Sequence, residues 1–194
     1  MRFTPRPVRF GQRPGADGDE AEGLPTPAKV KLLARRAAGI SEAKQVLEHL
    51  PGPGESLHAV VTARLDLTDV INALLERIGR CERMMVATLG YNARNLKTML
   101  AWLDSGTAGG IGLVASRFFH SHNQALWETT LEEFRSRKQR AAYCHSHAKV
   151  VTMAFATGER LSIEGSANLC GNGSGREQFA LIHMRSCTTS TRHG

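Results

Sequence analysis

A chain of 194 residues is long enough to bury one sizeable core and leaves little for a second. Its formal charge of +7 suits a polyanionic partner, while aromatic residues, at 6%, are too sparse to argue for a base-stacking surface. No run approaches the roughly 18 apolar residues of a membrane span, no apolar stretch at the start makes a secretory signal, and Cys81, Cys144, Cys170 and Cys187 lie far apart with no C-x-x-C, which reads as reduced thiols in a cytoplasmic protein.

Residues 1–27 are rich in Arg, Pro, Gly and acids without hydrophobic periodicity and read as a disordered tail. Arg2, Arg6, Arg9 and Arg13 precede any acid there, available to nucleic acid or simply to water. Residues 28–50 read as one or two short helices, with Ser41 as an N-cap. Pro51-Gly52-Pro53-Gly54 marks the boundary between this region, 1–54, and a folded domain, 55–194. Residues 57–63 read as a strand. Residues 68–78 read as a helix capped by Thr68 and stopped by Gly79, with Ile71, Leu74, Leu75 and Ile78 on one face. A buried strand over 84–89, a helix over 92–103, a strand over 110–116 and a helix over 124–140 follow. Residues 150–156 and 161–163 flank Thr157-Gly158-Glu159-Arg160 and read as a β-hairpin, and 179–183 as a further strand. The alternation implies an α/β fold, a mixed β-sheet flanked by helices.

The open end of the hairpin gathers polar groups that a hairpin does not need. His147-x-Lys149 precedes its first strand and Gly165-Ser166-x-Asn168 follows its second. Because strand side chains alternate, His147 and Lys149 share a face. A turn centred on Thr157-Gly158 sets His147 across from Asn168 and Lys149 across from Ser166; shifting it by one residue sets Lys149 opposite Asn168.

This pattern resembles the phospholipase D superfamily, whose half-site runs H-x-K, then usually an Asp, then G-S-x-N. The matching residues are His147, Lys149, Gly165, Ser166 and Asn168, and Glu177 resembles the acid that often follows in the small bacterial and phage nuclease-like members. The usual Asp lies five residues after the Lys, where this chain has Ala154, and the hairpin is about four residues longer than the common spacing. The resemblance spans roughly residues 57–183 and implies one half-domain of that fold. It implies a metal-independent phosphodiesterase in which His147 forms a phosphohistidine, Lys149 and Asn168 hold phosphate oxygens, and Ser166 and Glu177 orient the histidines. It needs two H-x-K units and this chain has one, which implies a homodimer. The positive charge favours nucleic acid as the substrate. The rival expectation, resting on Ala154, is a degenerate nucleic-acid-binding module without turnover.

Arg117, Tyr91 and Asn92 fall just after expected strands, where ligands of α/β sheets collect, and are candidate substrate-binding residues. The pairs His120-Ser121-His122 and His145-Ser146-His147 have spacing that suits zinc, but the second is used by H-x-K and no carboxylate cluster stands beside the first. They read as exposed loop histidines, and neither metal nor cofactor is expected. Arg135, Arg137, Lys138 and Arg140 gather at a helix end, where the macrodipole alone favours cations. Gly171-Asn172-Gly173-Ser174-Gly175 lacks the Lys of a phosphate loop and reads as a flexible connection. Residues 184–194 carry no periodicity and stand where such a fold adds a covering helix. A reading-frame change that removed the helix and an ordinary terminal tail both account for them.

Overall fold

The computed structural model describes residues 27–62, 65–169 and 176–185. The expectations for the tail before residue 27, for the loop 171–175 and for residues 186–194 lie outside the described residues. In chain order the elements are α1 (Pro27–Val46), β1 (Ser56–Thr62), α2 (Leu67–Ile78), β2 (Cys81–Thr88), α3 (Ala93–Asp104), β3 (Ile111–Ser116), α4 (Arg117–His122), α5 (Gln124–Ser136), β4 (Arg140–Cys144), β5 (Val150–Phe155), β6 (Arg160–Gly165) and β7 (Arg176–His183).

The seven strands form one mixed sheet in the order β1-β7-β6-β5-β2-β3-β4. β2, β3 and β4 run parallel, and every other neighbouring pair is antiparallel. It follows that β1 points the same way as β2, β3 and β4. The three crossovers between these strands all step in one direction, and right-handed connections of that kind place α2, α3 and α5 on one face. Burial agrees. Val61, Met84, Val86, Ile111, Leu113, Val151, Met153, Leu161, Ile163 and Leu181 alternate into the core. Against them pack Ile71 and Leu74 of α2, Leu96, Met99 and Trp102 of α3, and Trp127 and Phe134 of α5, each set at helical spacing. The opposite face is open among the described residues, with Val60 at 68% and Met85 at 45% exposure.

Several boundaries differ from the sequence expectation, each for a local reason. Residues 27–46 form a single helix that runs through Ser41, so Ser41 caps nothing. Ala43 and Leu47 join the main core, and Arg77 donates to the Leu47 and Glu48 carbonyls. The N-cap of α2 is Asp66, not Thr68; the Asp66 amide donates to the Asp69 carboxylate at 3.3 Å, and Arg94 pairs with Asp66. The histidines after β3 sit on the short helix α4 rather than in a loop. The helix expected to reach residue 140 ends at Ser136, because Lys138 takes a left-handed φ of 57° and turns the chain into the edge strand β4. A lysine carries no signal for that turn. Arg137, beyond the helix end, makes a bidentate contact to Asp104 at 2.7 and 2.9 Å, which holds the Asp104 carboxyl below its ordinary range. Its folded value lies below its unfolded one, so this link contributes at neutral pH and is lost as pH falls through the folded value.

The hairpin register is neither of the two expected. β5 and β6 pair Val150 with Glu164 and Ala154 with Arg160, which brings Lys149 opposite Gly165. The Gly165 amide donates to the Lys149 carbonyl at 3.3 Å. The reason lies in the turn. Phe155 N donates to Glu159 O at 2.9 Å and Gly158 N to Phe155 O at 3.0 Å, enclosing a loop over 156–158 with Gly158 at φ 100°. A loop of this odd length needs a left-handed glycine and moves the register by one position.

Candidate active site

All the strand ends that carry expected site residues meet at one end of the sheet. The carboxyl ends of β2, β3 and β4, the start of β5, the end of β6 and the start of β7 lie side by side there. β4 and β5 are three strand spacings apart, about 14 Å at the usual separation. The connection over residues 145–149, which contains His147 and Lys149, must therefore run across the ends of β3 and β2. Arg117, the first residue after β3, meets it: its guanidinium lies 3.0 Å from His145 Nε2. His147 is exposed and Lys149 half-buried, with Lys149 Nζ donating to the His147 carbonyl at 3.2 Å.

Ser166 follows β6 and is held against β7 through three hydrogen bonds. Its amide donates to Gln178 O at 2.9 Å, its Oγ accepts from Gln178 N at 3.1 Å, and its hydroxyl donates to the Glu177 carboxylate. Ser166 and Glu177, eleven residues apart, thus form one unit across the β6–β7 pair. Asn168 stands between Ala167 and Leu169, both buried, so its backbone is fixed by two apolar anchors. Its Oδ1 is sealed from solvent and accepts no hydrogen bond from the described residues. A shielded acceptor left without a donor is costly, and such groups cluster where function needs them.

Beneath this loop lies a residue that sequence reasoning missed. Asn95 of α3 is fully buried, and its Nδ2 donates to Thr68 Oγ1 at 3.3 Å and to the Leu169 carbonyl at 3.2 Å. Its Oδ1 accepts from the Asn92 amide at 3.1 Å. One amide side chain therefore ties α2, α3 and the G-S-x-N loop together. An asparagine in the first turn of an expected helix reads as capping, which hides this. Asn95→Ala removes the donors to the Leu169 carbonyl and to Thr68 and is expected to cost about 1–3 kcal/mol in chemical denaturation.

The three candidate substrate-binding residues fare differently. Arg117 reaches the mouth. Tyr91 is only 4% exposed, with its ring against Phe119 and its hydroxyl donating to Thr130 at 2.7 Å. Burial pushes that phenol well above its ordinary value, and the side chain is committed to the core. Asn92 is exposed, but its side chain caps α3 by accepting from Asn95 N at 2.9 Å. The histidine pairs are also engaged elsewhere: His120 stacks on Tyr143, His122 Nδ1 lies 2.8 Å from Phe118 O, and His145 meets Arg117. Among the described residues no three His, Cys, Asp or Glu side chains come together as a metal site. Cys81 and Cys144 are free thiols, and no described helix is long and apolar enough to cross a membrane.

Ala154 lies far from this end. It is the fifth residue after Lys149 along β5, about 17 Å away at strand rise, and its cross-strand neighbours are Arg83 and Arg160. An aspartate here would stand between two arginines rather than beside His147. Ala154→Asp is accordingly expected to raise stability by about 0.5–1 kcal/mol, measured in urea.

One H-x-K and one G-S-x-N thus sit at the adjoining ends of β5 and β6 on a mixed seven-stranded sheet with helices along one face. This is the mixed α/β sheet flanked by helices that the resemblance to the phospholipase D superfamily implies. No family model and no curated protein matches the chain. Solved structures similar to it include polyphosphate kinase from Porphyromonas gingivalis, at TM-score 0.49 and 15% identity over 72% of this chain and 26% of that one. A phospholipase D family member, Nuc from Salmonella typhimurium, is similar at TM-score 0.46 and 12% identity, over 68% of this chain and 85% of that one. Phosphatidylserine synthase from Haemophilus influenzae is similar at TM-score 0.47 and 11% identity, over 69% of this chain and 36% of that one. The chain therefore spans about a quarter of the polyphosphate kinase and about a third of the synthase, but most of Nuc.

Proposed function

We propose that the chain is a metal-independent phosphodiesterase of the phospholipase D type, acting on nucleic acid as a homodimer. The observation that carries this reading is the Ser166–Glu177 unit, with an Asn168 amide oxygen that has no partner among the described residues, at the strand ends that flank His147 and Lys149. In this reading an imidazole nitrogen of His147 attacks phosphorus as the bond to the leaving oxygen breaks. The His147 of a second copy gives that oxygen its proton, and water then cleaves the P–N bond of the phosphohistidine. Lys149 and the Asn168 side-chain NH2 hold the non-bridging oxygens, where preorganised donors act most strongly on the charge that develops. Ser166 and Glu177 orient a histidine of the paired site. The two-fold axis places the two mouths together, since each copy supplies one H-x-K. Arg117 and the net charge of +7 favour a polyanionic substrate.

The non-catalytic reading draws its support from Ala154, and the distance of that residue from the mouth weakens it. Hydrolysis of an activated phosphodiester such as bis(p-nitrophenyl) phosphate in excess EDTA separates the alternatives. Undiminished turnover in EDTA, from a species that sediments as a dimer, is the expected result. No turnover at all in a dimeric preparation favours the binding module, and turnover abolished by EDTA favours a metal site.

A further inference from the structure

The same end of the sheet carries aromatic rings that the proposed chemistry leaves unused. We propose that Phe118 and Tyr143 form a stacking platform for the bases of a single-stranded nucleic acid whose phosphate enters the His147 mouth. The inference rests on the phosphodiesterase reading and names its substrate class.

Two ring pairs flank α4. His120 lies face to face on Tyr143, with centroids 3.9 Å apart and planes at 15°, and Trp127 closes edge-on against both at 6.0 and 5.7 Å. Phe118 stacks on His122 with centroids 4.1 Å apart and planes at 29°. Packing alone does not account for the outer rings. Phe119, Trp127 and Phe134 on the same two helices are buried, whereas Phe118 is 60% and Tyr143 46% exposed. Each outer ring is instead braced by a histidine, which fixes its plane and leaves a free aromatic surface.

Their placement gives the rings a partner. Phe118 is the second residue after β3, and Tyr143 is the penultimate residue of β4, so both stand at the carboxyl ends of neighbouring strands. Arg117 and His145 join at that same end, and the chain runs on from His145 to His147 and Lys149. Cations along the mouth with flat rings beside them match a phosphate backbone carrying unstacked bases. A duplex hides the faces of its bases and cannot use the platform. The overall aromatic content gave no hint of this, because the fold draws rings from α4, α5 and β4 to one place.

The test compares kinetics of wild type, Phe118→Ala, Tyr143→Ala and Tyr143→Phe on three probes: bis(p-nitrophenyl) phosphate, a short oligothymidylate, and an abasic oligomer of the same length. Each alanine variant is expected to raise KM for oligothymidylate about tenfold, the usual effect of losing one base–ring stack. KM for the small diester and for the abasic oligomer is expected to stay unchanged, Tyr143→Phe to behave as wild type, and wild type to prefer the single strand to its duplex. Unchanged KM for oligothymidylate in both alanine variants overturns the platform, as does an equal rise on the abasic oligomer. If wild type cleaves none of the probes, the phosphodiesterase reading falls, and fluorescence anisotropy of labelled oligothymidylate against the abasic oligomer decides the platform with the same variants. A base-dependent loss of affinity there supports it, and its absence overturns it.

Discussion

His147→Ala is expected to reduce hydrolysis of an activated phosphodiester by about four orders of magnitude or more, the scale seen when a nucleophile is removed from a unit that acts together. The fold should not notice. The imidazole is exposed, it follows β4 in a connection rather than in the core, and none of the described helices or strands depends on it for packing. Melting is expected to shift by no more than the equivalent of about 0.5 kcal/mol, as for other surface changes. Lys149, Ser166 and Asn168 remain, so affinity for orthovanadate, a phosphate mimic, should survive within a few-fold. Turnover at the wild-type rate in a folded, pure preparation of this variant removes His147 from the mechanism.

The second large effect concerns the glycine of G-S-x-N. A Cβ on Gly165 would come within 2.1 Å of the Gln178 carbonyl oxygen and 2.7 Å of Phe179 Cα, both main-chain atoms. No rotamer change relieves such an overlap; β6 and β7 have to part. The three hydrogen bonds of Ser166, all made across that pair, part with them. Gly165→Ala is expected to cost about 3 kcal/mol, the upper end for overpacking, and to lower Tm by about 10 °C. It should also depress turnover more than Ser166→Ala does. Gly158→Ala is the control: its Cβ would meet nothing within 4 Å, and only the left-handed φ opposes it, for about 1 kcal/mol. If the two glycine variants melt alike, the close approach of β6 to β7 is not what fixes the mouth.

Much of the fold was legible because the core elements repeat at the periods that burial imposes. Ile71, Leu74 and Leu75 of α2 and the apolar run that holds Val151, Met153 and Phe155 are signals of that kind, whereas Asn92, expected as a helical and ligand-binding residue, proves to be the N-cap of α3. What failed had no local signature. The chain turns out of α5 on Lys138, where glycine is the usual mark, and β4, Arg-Ala-Ala-Tyr-Cys, alternates too weakly to be read as a strand. The hairpin register depended on a loop one residue longer than a two-residue turn. At the site, the motif residues could be named because their chemistry is unusual for a hairpin, whereas Tyr91 looked the same in sequence whether it faced ligand or core. Asn95 was invisible for the opposite reason, since its partners, Thr68 and Leu169, are distant in sequence.

The pairing of β1 with β7 sets a timetable for this molecule. Ser56 meets Ile182 and Thr62 meets Arg176, so the first strand of the sheet waits for the last of the described strands. Between them β5 must bond to β2, the seam that joins the parallel half of the sheet to the antiparallel half. Closing loops of that length is an entropic debt settled before the contacts return it, which slows folding. On a ribosome, β2, α3 and β3 can associate while the later strands are still being made. Ser166 and Glu177 cannot meet until residue 177 has emerged and β6 has found β7. The mouth is therefore assembled last, and a nascent or partly unfolded chain presents His147 before Ser166 and Glu177 have joined across β6 and β7.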